Sequence, residues 1–125
     1  MADGISSGLA NNFLNTVRGT SYSAAGTFVK LHTGAPGPAG TSNASVVTTR
    51  QSATFGAASG GAIALTNAPS FAMTATETIT DITVWDSATT GNFLWSAQLS
   101  TPKTVANGDT LTLNSCGFSL TPTAS

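Results

Sequence analysis

Apolar residues at the start of the chain recur every fourth position: Ile5, Leu9, Phe13 and Val17, with Leu14 beside them. That spacing predicts one amphipathic helix over about 4–18. Asp3 suits its N-cap, Arg18 suits the last turn, and Gly19 stands where a C-cap glycine would end it. A helix this short is not stable by itself. Its apolar stripe must therefore cover the domain's own sheet or dock on a partner, which makes Leu9 and Phe13 candidate protein contacts.

From residue 27 the period changes from four to two. Phe28, Lys30 and His32 share one side of a strand over 27–33, and Val29, Leu31 and Thr33 share the other. A β-branched run predicts a second strand over 46–55, with Gln51, Ala53 and Phe55 inward and Arg50, Ser52 and Thr54 outward. After the turn-rich GAASGG, shorter strands are expected over 62–67 and 70–74, separated around Pro69. The clearest strand, 79–86, returns as an antiparallel partner over 93–99 after a loop of turn residues. Thr101-Pro102-Lys103 reads as a break and Ala106-Asn107-Gly108-Asp109 as a turn; strands over 110–113 and 117–121 close the chain. About seven or eight short strands with one N-terminal helix describe an all-β fold, an antiparallel β-sandwich or barrel-like domain spanning 1–125.

Between the first two strands lies GAPGPAGTSNAS, a connection longer than most in a compact domain. Pro36 and Pro38 lack amide donors, so the stretch is neither helix nor ladder. It carries no charge. Ala35, Pro36, Gly37, Pro38 and Ala39 are therefore candidates for lying flat against a neighbouring protein.

Composition sharpens this picture. Only 7% of the 125 residues are charged, while 22 Thr and 15 Ser supply the polar surface, and threonine favours pleated sheet. So sparse a surface charge gives little protection against association, as expected of a protein packed against copies of itself or other subunits. Arg18, Lys30, Arg50 and Lys103 are scattered and the net charge is −1, which argues against nucleic-acid binding. No apolar stretch has the length of a membrane span. The N-terminus lacks a signal peptide's basic start and apolar run, pointing to a cytosolic origin. Cys116 is alone and reads as a small core residue.

Catalytic and metal chemistry find no support. His32, alternating with Lys30 along a strand, reads as an exposed or hydrogen-bonded sheet residue. Glu77, Asp81 and Asp86 match no calcium-loop spacing, and the glycine-rich stretches lack the context of a phosphate loop. No catalytic residue, cofactor or metal is expected. Trp85, Trp95 and Tyr22 are the aromatic residues from which a sugar-stacking platform could be built; strand alternation places both tryptophans in the core instead.

Val29-Lys30-Leu31-His32-Thr33-Gly34-Ala35-Pro36-Gly37, followed by Ala39-Gly40-Thr41, resembles the "LHT(A/G)xPG…GT" strand and loop of a family of small virion proteins of tailed bacteriophages. Arg50-Gln51 with Thr54-Phe55-Gly56-Ala57-Ala58, Ile82-Thr83-Val84-Trp85-Asp86, Gly91-Asn92-Phe93-Leu94, Thr101-Pro102-Lys103-Thr104-Val105 and Gly108-Asp109-Thr110-Leu111 continue the resemblance, which covers about residues 5–121. It implies a non-enzymatic virion structural protein made in the bacterial host cytoplasm. Its partners would be major capsid or tail subunits and copies of itself, for example in a trimer. The single compact domain without a stalk favours a capsid decoration protein on the particle exterior. The alternative is a minor tail or tail-fibre protein with a receptor- or carbohydrate-binding β-sandwich.

Overall fold

The computed structural model describes residues 4–114 and, as backbone, 117–119. The expected N-cap Asp3, the lone Cys116 and the end of the last predicted strand lie outside the described residues. Helix α1 (Ser7–Val17) is followed by strands β1 (Phe28–His32), β2 (Gln51–Ser52), β3 (Ala62–Ala64), β4 (Ser70–Ala72), β5 (Glu77–Trp85), β6 (Phe93–Val105), β7 (Thr110–Thr112) and β8 (Gly117–Ser119). All pairings are antiparallel. A four-stranded sheet runs in the order β2-β1-β5-β6, and β3-β8 and β4-β7 form two ribbons. The result is the expected all-β sandwich.

Strand pairing explains which side chains meet. Val29 stands opposite Val84 and Leu31 opposite Ile82, while Trp95 and Ala97 on β6 continue the same row. This side carries the apolar core, which includes Phe71 and Met73 from the β4 region, with Ile63, Leu65, Leu111 and Leu113 packed around them. The opposite side carries Phe28, Lys30 and His32 against Trp85, Thr83 and Asp81, then Phe93, Ser96 and Gln98. The alternation read for the first strand is thus observed, with one addition: His32, Asp81, Thr83 and Ser96 on the polar side are buried too.

Turns close as the residue types demand. Gly60 and Gly61 both have positive φ (61° and 81°), the pair of conformations a two-residue type I′ hairpin needs between Ser59 and Ala62. Gly108 (φ 93°) turns the chain from β6 to β7, where the Asp109 carboxylate accepts the Ala106 amide at 2.9 Å.

Three expectations are corrected. The helix starts later than predicted, with Ser6 as N-cap, its Oγ accepting the Leu9 amide at 3.1 Å. Gly4–Ser6 is extended instead and adds to the outer edge of β6 through Ser6 N–H to Leu94 O (2.8 Å) and Ser96 N–H to Gly4 O (2.9 Å). Leu9 is buried, but Leu14 and Val17 are exposed, at 68% and 85%. Each four-residue step rotates a helical side chain about 40° further, so a strict four-residue repeat leaves the buried face within three steps.

The second predicted strand, 46–55, shrinks to Gln51–Ser52. Ala44 bridges His32 and the Ser45 amide bonds Leu31 O, yet the next pairing with β1 is Gln51 with Val29. Residues 46–50 are therefore looped out opposite Lys30. Their β-branched composition favours extended backbone but cannot supply a ladder. Pro102 does not break β6 either. The strand continues to Val105 through a register shift, Asp81 pairing with Gln98 but Ile79 with Lys103. The missing proline amide falls in that unpaired stretch.

Candidate contact surface

The uncharged Pro/Gly loop is built from β1 outward. Its neck is an antiparallel return: the Thr33 amide donates to Asn43 O (2.8 Å) and the Ser45 amide to Leu31 O (3.1 Å). Its tip is braced internally by Gly40 N–H to Gly37 O (3.1 Å), Ser42 N–H to Pro36 O (2.9 Å) and Asn43 Nδ2 to Ala35 O (2.9 Å). Gly37, Gly40 and Asn43 have positive φ, which Gly adopts freely and Asn more readily than most residues.

The loop then folds back over the polar side of its own sheet. Gly40 lies on the Phe93 ring so closely that a Cβ there would come within 2.7 Å of ring carbons. Ser42 O lies 2.8 Å from His32 Nδ1, and Pro36 is fully buried. Pro36 is thus spent inside its own domain and offers no side chain to a partner. Ala35 and Gly37 are half-buried; Pro38 and Ala39 are exposed, as are Thr41 to Ala44. The crest that faces solvent is therefore Pro38–Ala39 together with 41–44.

The helical candidates behave similarly. Leu9 belongs to the core cluster, and Phe13 packs against it from the edge, with the Tyr22 ring at 6.4 Å and an interplanar angle of 72°. Leu9 and Phe13 thus cover their own domain while Leu14 and Val17 face solvent, and of the first two only Phe13 retains exposed surface.

Beneath the loop is a chain of buried polar groups that strand parity could not reveal, since it depends on cross-strand register. Ser42 O can only accept, so His32 Nδ1 carries the proton. In the neutral ring Nε2 is then an acceptor, and it takes the Thr83 hydroxyl at 2.9 Å. Thr83 Oγ1 in turn accepts Trp85 Nε1–H at 2.7 Å. Every polar atom in this row has a role of the right sign. Burial pushes the His32 pKa below its ordinary value; the Ser42 carbonyl and Asp81 oppose the shift, while Lys30 adds to it. Burial also lowers Lys30, with Arg50 contributing like-charge repulsion.

Arg50 closes the other end. Its guanidinium lies 4.1 Å from the Trp85 ring centre and donates to Ser87 O (2.8 Å) and Thr90 O (2.6 Å). It thereby fastens the β5–β6 loop, within which the Asp86 carboxylate accepts the Asn92 amide at 2.7 Å. Both tryptophans are buried: Trp85 is in ring contact with Phe93 and Trp95 with Phe55. Trp85, Trp95 and Tyr22 therefore form no open stacking platform. His32 is hydrogen-bonded, one of the two states expected of it, and completely buried. Among the described residues no group of three or more His, Cys, Asp or Glu is placed to hold a metal, and no helix is long and apolar enough to cross a membrane.

A protein-family model described as "Podophage GP4 fiber I protein gp80" matches residues 4–121. The chain belongs to that family. No curated protein matches it. Membership makes it a phage structural protein and turns the reading away from capsid decoration, towards the fibre alternative.

Proposed function

We propose that the chain is a non-enzymatic subunit of a tail fibre on the outside of a tailed-phage virion, assembled with other virion proteins and with copies of itself. The observation that carries this reading is the fibre-family match across residues 4–121. The 7% charged composition supports it, because an uncharged, hydroxyl-rich surface can be buried in subunit contacts without desolvating many ions. The contact surface proposed here is the exposed, uncharged crest at Pro38–Ala39. A symmetric homo-oligomer such as a trimer is the assembly it would serve. Host-receptor or glycan recognition draws no support from the aromatic residues, since both tryptophans are buried.

Gold labelling of virions that carry an epitope-tagged copy tests the placement. Label on the fibres is the expected result. Label over the capsid shell, or particles without label, would overturn the reading. Light scattering on the purified chain should give a multiple of the 12.4 kDa monomer.

A further inference from the structure

We infer that His32 is an acid-sensitive latch that holds the tip of the 33–44 loop on the polar side of the sheet. Three observations converge on it. The imidazole is 0% exposed, although it faces a loop rather than the apolar core. Among the described hydrogen bonds, the one from its Nδ1 to Ser42 O (2.8 Å) joins a side chain of the sheet to the loop tip. The bonds Gly40 to Gly37, Ser42 to Pro36 and Asn43 to Ala35 are internal to the loop and would move with its tip, while Asn43 O stays anchored at the neck by the Thr33 amide and hydroxyl. What else seats the tip is packing: Pro36 and the contact of Gly40 with Phe93.

Protonation disturbs this arrangement at a defined atom. A second ring proton would leave Nδ1–H on Ser42 O but turn Nε2 from acceptor to donor, aimed at the same Thr83 Oγ1 that takes Trp85 Nε1–H. The Thr83 hydroxyl would lose its acceptor, and a cation would be enclosed with little water. The charged groups around the ring are Lys30 on its own strand, which opposes the cation, and Asp81 opposite it on β5, which favours it. Residues 33–49 of the covering loop contain no ionisable side chain. Glu77 lies further along β5 and accepts the Ser45 hydroxyl at the loop's neck.

The direction follows from linkage. An imidazole whose pKa is depressed in the closed state binds fewer protons there than in the open state. Closure is therefore fully favoured above the ordinary histidine value of about 6.5 and weakens as pH falls below it. Between the ordinary and the depressed value, the open fraction should grow about tenfold per pH unit.

Solution NMR on the complete chain tests the latch. The His32 ring, the Gly40 α-protons (shifted by the Phe93 ring current) and the amides of Val29 and Val84 would be followed from pH 8 to about pH 4. The expected result is that Gly40 loses its ring-current shift with the His32 midpoint while Val29 and Val84 stay protected. Glu77→Gln should leave that midpoint in place, separating the latch from the neck contact. His32→Asn, if it folds, should abolish the pH response of Gly40. Gly40 shifts that stay flat while His32 titrates would overturn the inference. So would loss of loop and core at one common midpoint, a His32 ring that remains neutral throughout, or a midpoint that moves with Glu77→Gln.

Discussion

The two sides of the central sheet are both buried, but by different means. On one side Val29, Leu31, Ile82 and Val84 meet Phe71 and Met73, and burial itself is the driving force. On the other, the polar groups His32, Thr83, Asp81 and Ser96 are buried, His32 beneath the uncharged loop and Ser96 against Gly4. Burying those polar groups costs free energy unless each hydrogen bond is satisfied. The apolar side tolerates small errors of shape, because hydrophobic contact is non-directional. The polar side requires atoms of the right sign in the right place, and its glycines and prolines serve that geometry.

The largest effect should come from the apolar side. Phe71 is 0% exposed, and Phe71→Ala should cost about 3–5 kcal/mol in chemical denaturation. Phe13→Ala should cost less, because the Phe13 ring is only partly buried against the core. If the two losses were equal, the helix would be as integral to the core as β4, and the ranking of the layers would fail.

The sequence made one side of the sheet far more legible than the other. Period-two alternation at Val29–Leu31 located the apolar side, and the turn residues between 79–86 and 93–99 located the β5–β6 hairpin, before any pairing was known. Alternation also put Lys30 and His32 together on the other side, yet nothing local signals that a loop will return to cover them. That depends on Gly40 meeting Phe93, a residue distant in sequence. The same limit explains the second strand. The composition of Val46–Phe55 specifies extended backbone, whereas pairing depends on the edge of β1, which bonds Ser45 and then skips to Gln51. Pro36 and Pro38 are equivalent as letters, and only the folded loop distinguishes a buried proline from an exposed one. The virion role came from resemblance, and its fibre assignment from the family match, since no side-chain constellation encodes either.

A second test probes how the polar side is closed. Gly40 has φ +71° and lies on Phe93, whereas Gly108 has φ +93° with open space where a Cβ would be. Gly108→Ala should therefore show backbone strain alone, about 1–2 kcal/mol. Gly40→Ala should add overlap with the ring, for a total of about 2–4 kcal/mol. Thermal unfolding of the two variants side by side separates the terms. Equal losses would mean that the loop does not press on Phe93.

The closest comparison, between two substitutions at Thr83, is the most specific to the polar side. Thr83→Val keeps the shape of the side chain but removes the hydroxyl shared by His32 Nε2 and Trp85 Nε1. Two buried groups would lose their partner, at a cost of about 1–3 kcal/mol. Thr83→Ser keeps the hydroxyl and loses one methyl, about 1 kcal/mol. Chemical denaturation would rank the pair, and the Val variant should be the less stable although it is the more hydrophobic. Were the Ser variant the less stable, packing rather than hydrogen bonding would dominate at this position. The two sides of the sheet would then differ in composition but not in the kind of force that holds them.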